Sequence, residues 1–427
     1  MILQYDVENN LSIRDRQRVV MMPSGKKEKI DSILEIDKYE ALPVIAIYGK
    51  NASGKTNTIK SLEQIFKMVS ISHNFDPVRP IDDYNPFIFI NEEQKEKPTT
   101  YEIVFVVENK KYVYGFSYNS ERILEEYLYV YNSKKASKIF DRNSEEEEEY
   151  SFGTNYVTLS DYIGKTHKNK LFLSIVAQWA ADQKEINSIY DFFRNGMVSY
   201  PKDYRDSSIN FGIETTMLLE KNPEAKDFLG KFIKYMELEM KDFKVTNLPV
   251  DLKDMPEQVK AFLEKIATVK NEEIKATNVK TIYEINDSIY ELDLGTESNG
   301  IQKLYQIFPL IFYALTKKRI ILIDEIETGL HPTLIKKIIQ LFQNKEFNKF
   351  GSQLIFTTHL TSILDSTLLR RDQIWFTERN LENNYSTEIF PLSEIKGVRI
   401  SDNLERDYLK GEYVNVPTLN ATEEVNG

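Results

Sequence analysis

Residues 49–56 read Gly-Lys-Asn-Ala-Ser-Gly-Lys-Thr, a G-x-x-x-x-G-K-T run. These residue types in this order make a cradle for phosphate oxygens. Gly49 and Gly54 let the backbone curl, so that the N–H groups of the intervening Lys50, Asn51, Ala52 and Ser53 can face an anion. Lys55 can reach the β- and γ-phosphates as a point charge, and Thr56 can place its hydroxyl on Mg2+. A helix starting here, with Asn57 in its first turn, adds a positive dipole end. ATP with Mg2+ is the expected ligand.

A second cluster lies far along the chain. Residues 319–325 read Arg-Ile-Ile-Leu-Ile-Asp-Glu, four apolar residues that deliver two adjacent carboxylates. In a parallel α/β sheet the C-terminal strand ends open the ligand crevice. Asp324 there suits a Mg2+ shell. Glu325 can orient and deprotonate an attacking water. Residues 353–359, Gln-Leu-Ile-Phe-Thr-Thr-His, form another apolar run that ends in His359, placed to hydrogen-bond a γ-phosphate. Lys55, Glu325 and His359 are therefore the expected catalytic set, and Thr56 and Asp324 the expected metal ligands. His331 reads equally well as a turn residue.

The elements that must position these groups are legible around them. LPVIAIY (42–48) reads as a buried strand before the glycine loop, and NTIKSLEQIFKMVS (57–70) as the helix after it. Residues 101–131 alternate in β fashion, with Asn109-Lys110 as the expected hairpin turn. The five glutamates 145–149 read as a solvated loop tip. Residues ~160–275 look mainly helical, with 229–243 and 256–269 the clearest helices. Strand patterns return at 280–292, 319–323, 353–357, 373–376 and 386–390, and the alternation with helices predicts an α/β unit with a parallel sheet. Residues 304–315 read as a buried core helix. The polar tail, 411–427, is expected to fray.

Composition narrows the function classes. Over 427 residues, 41% are hydrophobic, enough for a large core. Cysteine is absent, which excludes disulfides, thiol catalysis and Cys-ligated metal sites. Only four histidines are present, so a His-rich metal site is not expected. The net charge of −11 confines any nucleic-acid contact to local patches, such as Lys134-Lys135 and Lys165 to Lys170. The start, MILQYDVENN, lacks the basic and apolar regions of a signal peptide, and no apolar run approaches membrane-spanning length. A cytoplasmic location is expected.

Residues 296–304, Thr-Glu-Ser-Asn-Gly-Ile-Gln-Lys-Leu, resemble the degenerate signature of ABC-type ATPases at Ser298, Gly300 and Gln302. The order of phosphate loop, signature, Asp-Glu strand, Thr328–His331 segment and histidine is the ABC-ATPase order. With LIDEIETGLHP, FTTH and RRDQIWFTE (370–378), nearly the whole chain resembles AAA15/AAA21-type ATPases of the RloA/AbiL class. Their relatives include OLD-family, AriA-like, SMC, RecF and Rad50 ATPase heads.

The resemblance implies an α/β ABC-type ATPase head: a mixed sheet with an antiparallel β arm, plus a helical insertion. The expected segments are 1–155 (phosphate loop and β arm), 156–278 (helical insertion), 279–400 (signature, Asp-Glu strand and histidine) and 401–427 (tail). It further implies a homodimer or higher oligomer in which Gly49–Thr56, Asp324, Glu325 and His359 of one subunit and Ser298–Gln302 of another sandwich ATP. The Q-loop glutamine has no evident counterpart, although Asn85-Pro86-Phe87 lies in a plausible region.

The function implied is an antiphage-defence (abortive-infection) sensor or scaffold. It would control a separate effector, of the TOPRIM nuclease type, with a phage protein or nucleic acid as trigger and no membrane partner. Only about 50 residues follow RRDQIWFTE, too few for a nuclease domain of its own. The alternative is a RecF- or SMC-like DNA-binding repair ATPase. A transporter motor ranks last, because the span from Lys55 to Ser298 holds more than such a motor needs.

Overall fold

The computed structural model describes residues 1–25, 28–36, 38–89, 97–132, 135–200, 211–249 and 275–414. They divide into two units. One holds 1–200, 313–328 and 338–414; the other holds 211–249, 275–312 and 329–337.

The first unit contains a six-stranded sheet whose strands we label β1 (Val44–Tyr48), β2 (Met197–Tyr200), β3 (Ile320–Ile323), β4 (Gln353–Thr357), β5 (Ile374–Asn380) and β6 (Ser386–Pro391). Their order is β2-β3-β4-β1-β5-β6, parallel except for the β5–β6 hairpin. Every residue of β1, β3 and β4 is buried, which is why these strands read as unbroken apolar runs rather than alternating ones. Register pairs Ile47 with Thr357, and Phe356 with Ile323. The carboxyl ends of β1, β3 and β4 therefore share one edge, where α/β sheets place ligands. β2 lies in a stretch expected to be helical; four residues are too few to show a period.

Helix α1 (Lys55–Ile71) follows β1 across the glycine loop. Its buried face, including Ile59, Leu62, Ile65 and Val69, shares one core with Ile45 and Ile47 of β1. The same core takes in Tyr5, Ile103, Phe105 and Phe116 of a seven-stranded antiparallel sheet. That sheet runs in the order 150–152, 137–143, 123–131, 110–118, 99–107, 2–8, 17–20. Its first expected hairpin is present with the turn one residue earlier. Glu108 and Asn109 carry φ of 48° and 62°, and Val107 pairs with Lys110. Two left-handed residues suit the primed turns that match strand twist. The glutamate run sits between 137–143 and 150–152; at its end, buried Arg142 holds Glu149 at 2.7 Å.

The second unit contains helices Phe211–Lys221 and Pro223–Tyr235, and an antiparallel sheet of Asp242–Pro249, Lys275–Ile285 and Ser288–Asp293. Asn222 caps the second helix by accepting from Glu224 N and Ala225 N, with Pro223 opening it. The expected helix 229–243 stops at Tyr235. Glu237 adopts φ 54°, and Leu238 N reaches back to Ile233 O, a left-handed C-terminal cap. Met236, Met240 and Phe243 are buried from the turn and the following strand, so their spacing mimics a helix that has already ended.

Two further helices cross between the units in sequence, α2 (Asn299–Lys317) and α3 (Pro332–Gln343). Within the second unit, Phe308 and Phe312 of α2 pack on Phe228, and Tyr305 on Phe243, as a buried core helix requires. Among the described residues, no helix is long and apolar enough to cross a membrane. The expected helix 256–269, Lys134 and the tail from 415 on lie outside the described residues.

Candidate functional site

The loop leaving β1 is curled and tightly packed. Gly49 and Gly54 carry φ of 154° and 111°, and Ala52 carries φ 63°. A Cβ on Gly49 would meet Ser53 Oγ, Thr377 O and Thr377 Oγ1, each at 2.5 Å; one on Gly54 would run into the Thr387 side chain. The β5–β6 hairpin clasps the loop. Ser53 Oγ and Thr377 Oγ1 share a hydrogen bond of 2.6 Å. Thr387 Oγ1 donates to Ser53 O at 3.0 Å, and Arg379 Nε donates to Ala52 O at 2.8 Å. The cradle is thus preformed, and only glycine fits its two ends.

Lys55 is 7% exposed and folds back into the loop, donating from Nζ to Gly49 O (2.8 Å) and Lys50 O (3.1 Å). Burial lowers its pKa, against the pull of Asp324, Glu325 and Glu327. Thr56 Oγ1 donates to Asp324 Oδ2 at 2.9 Å. The other Asp324 oxygen accepts from Thr357 Oγ1, which in turn accepts from Glu325 N at 2.8 Å. Glu325 itself is exposed and holds φ 53°, a left-handed conformation uncommon for a residue with a side chain. Strain of this kind gathers at functional positions.

His359 donates its backbone N–H to Glu327 Oε1 at 2.6 Å. Glu327 Oε2 is buried and, among the described residues, finds no hydrogen-bond partner. The His359 pKa is pushed below its ordinary value, chiefly by desolvation and then by Lys55, with Glu327, Glu325 and Asp324 opposing. Gly49–Thr56, Asp324, Glu325 and His359 therefore share one electrostatic neighbourhood.

The donor set can be tested against the ligand expected from sequence. Among the described residues, no group of three His, Cys, Asp or Glu could hold a metal ion. One hydroxyl and one carboxylate, Thr56 and Asp324, converge instead. That pair suits Mg2+, which takes its other ligands from phosphate oxygens and water. The buried orphan oxygen of Glu327, beside Lys55 and His359, leaves further hydrogen-bonding capacity in the same place.

Other expected residues have local roles. Asn57 lies half-buried in the first turn of α1. Ser298, Gly300 and Gln302 lie in the second unit, at the start of α2. Ser298 Oγ accepts from Ile301 N at 3.4 Å, and Gln302 Nε2 donates to Glu297 O at 2.9 Å. His331 accepts from Leu334 N through its carbonyl and from Thr333 N through Nδ1, the contacts of a helix-start residue for α3. Asn85-Pro86-Phe87 is fastened to 9–11: Leu11 N donates to Asn85 O, and Phe87 N donates to Asn9 Oδ1. RRDQIWFTE contains a buried structural pair, with Arg370 donating twice to the Asp372 carboxylate.

Sequence reading missed Thr357, Glu327, Thr377, Arg379 and Thr387. A detectable signal was available for Thr357, as a hydroxyl at the end of the strand beside the Asp-Glu strand. The clasp from the β5–β6 hairpin had none, because the hairpin and the glycine loop are more than 300 residues apart in sequence.

Residues 44–365 match the family AAA_21, described as "AAA domain, putative AbiEii toxin, Type IV TA system". Among solved structures, the chain is similar to an SMC head bound to the C-winged helix domain of ScpA, at 12% identity and TM-score 0.46 over 91% of this chain and 97% of that one. It is similar to an SMC head domain from Thermotoga maritima at 12% identity and TM-score 0.42, over 91% and 98%. It is also similar to an SMC head domain with an extended coiled coil, bound to the C-terminal domain of ScpA derived from Pyrococcus furiosus. There the identity is 11% and the TM-score 0.38, over 91% and 96%. No curated protein matches the chain.

Proposed function

The chain belongs to the AAA_21 family, and on that premise we propose that it binds ATP with Mg2+ and hydrolyses it as the switch of a two-component system. The observation that carries the reading is the chain of contacts Thr56–Asp324–Thr357–Glu325. It joins the phosphate loop to the carboxylate pair through two hydroxyls.

Thr56 and Asp324 would hold Mg2+, which when bound neutralises charge on the phosphates. Lys55 leaves its loop carbonyls to meet the β- and γ-phosphate oxygens. Glu325 takes the proton of a water whose oxygen attacks the γ-phosphorus, as the bond to the ADP oxygen breaks. The neutral imidazole of His359 donates to a γ-phosphate oxygen. Ser298, Gly300 and Gln302 act on the nucleotide of a second copy, making a homodimer or larger assembly. The family's link to a putative AbiEii toxin and a type IV toxin–antitoxin system supports an abortive-infection role. The effector would be a separate protein, of the TOPRIM nuclease type in our reading.

The test has two arms. On purified protein, Lys55→Ala should lose ATP binding, while Glu325→Gln should bind ATP and fail to release phosphate. Native mass spectrometry of the protein purified from its own operon with Mg-ATP should show a stoichiometric second polypeptide. A bare homodimer would count against the effector, and unchanged turnover in Glu325→Gln against the hydrolytic assignment.

A further inference from the structure

The clasp that holds the glycine loop continues into an exposed turn. Arg379 spans the two. Its Nε donates to Ala52 O at the loop tip (2.8 Å), and its Nη1 donates to Tyr385 O (2.6 Å). The Tyr385 backbone therefore stands one guanidinium width from the loop. Asn384 and Tyr385 both adopt left-handed φ, 53° and 59°, at the foot of the β5–β6 turn. Tyr385 is 57% exposed and Leu381, in the same turn, 67%. Asn384 Nδ2 donates to Phe89 O at 3.1 Å, which brings a third large exposed apolar residue to this rim. Large apolar side chains gathered beside a polar phosphate cradle need an explanation.

We propose that this rim is the nucleobase seat of the phosphate loop, with Tyr385 as the stacking face and Arg379 as the residue that positions it. The inference rests on the reading that the loop holds a nucleoside triphosphate. A triphosphate cradled by residues 49–56 must lay its base beyond the loop, and the rim next to the loop tip carries one exposed aromatic phenol and two exposed apolar residues. The amides of this turn are already engaged, Asn384 Nδ2 with Phe89 O and Asn383 Nδ2 with Asp15 Oδ2. The seat should therefore hold bases by stacking, favouring ATP and GTP over CTP and UTP.

Titration calorimetry in Mg2+ can separate base from phosphate. Wild type, Tyr385→Ala, Tyr385→Phe and Lys55→Ala would each be titrated with the four nucleotides and with inorganic tripolyphosphate. Tyr385→Ala should weaken ATP binding by roughly tenfold, the scale of one aromatic–base stack, with its tripolyphosphate affinity unchanged. Tyr385→Phe should bind ATP as wild type does. The proposal is overturned if Tyr385→Ala binds ATP normally, if it weakens both ligands equally, or if wild type binds all four nucleotides alike. Should Lys55→Ala lose both ligands while Tyr385→Ala loses neither, only the base seat falls. Should wild type bind neither ligand, the nucleotide reading falls with it.

Discussion

Thr56 and Asp324 are 268 positions apart in sequence, yet the Thr56 hydroxyl donates to Asp324 Oδ2 at 2.9 Å. Thr357 holds the other Asp324 oxygen and also accepts the Glu325 backbone N–H. One threonine therefore fixes the Asp324 carboxylate and the Glu325 backbone together. Thr357→Val keeps the volume and removes both contacts. Its apparent Mg2+ affinity in the ATPase assay should fall by roughly 10–100-fold, the usual effect of losing a residue that orients a metal ligand. An unchanged Mg2+ dependence would show that Asp324 is held by other means.

Gly54 tests whether the cradle is as tight as it looks. Its φ of 111° and the Thr387 side chain against it leave no room for a methyl group. Gly54→Ala should lose about 1–3 kcal/mol of stability from backbone strain alone, and ATP binding with it. Adding Thr387→Ala clears the steric contact but leaves φ as it was. Thermal unfolding should therefore show at most partial recovery in the double variant.

Buried Arg370 makes a different kind of prediction. It donates from Nε and Nη2 to the Asp372 carboxylate, at 2.9 and 2.6 Å, and from Nη1 to Glu28 O. Arg370→Ala would leave Asp372, itself only 5% exposed, without its cationic partner, with only Ser24 N and Oγ still donating to it at 2.8 Å each. A loss of about 3–5 kcal/mol is expected, because one half of a buried pair stays behind. Chemical denaturation measures it directly.

His359 should titrate below the ordinary histidine range, because desolvation and the Lys55 charge both disfavour the imidazolium. Proton NMR across pH should therefore find it neutral at pH 7. The sign for stability follows from linkage. A pKa lowered by folding means that the unfolded chain binds the proton more readily. The associated stability is present above the unfolded value of about 6.5. It is lost as pH falls through the lower folded value. Lys55→Ala should move the His359 midpoint upward; no movement would separate the two residues.

Much of this site could be read from sequence because its parts are local. A glycine loop between an apolar strand and a helix, or two carboxylates after four aliphatic residues, announces itself within ten positions. β1, β3 and β4 carried a strong signal because they are buried on both faces. What failed to show was of two kinds. β2 is four residues long and half-buried, too short to carry a period. The helix ending at Tyr235 stops through the left-handed Glu237, and no glycine or proline marks the stop. The clasp of Thr377, Arg379 and Thr387 on the loop is purely tertiary. It exists only because β5 pairs directly with β1.

Whether this site hydrolyses ATP is decided by phosphate release from Mg-ATP by wild type and by Glu325→Gln, with bound nucleotide measured on the same samples. Wild type should turn ATP over in a Mg2+-dependent way. Glu325→Gln should retain ATP while losing at least roughly 100-fold in rate, the scale of a positioned general base. Equal rates in the two proteins, or a wild type that holds no ATP, would contradict hydrolysis at this site.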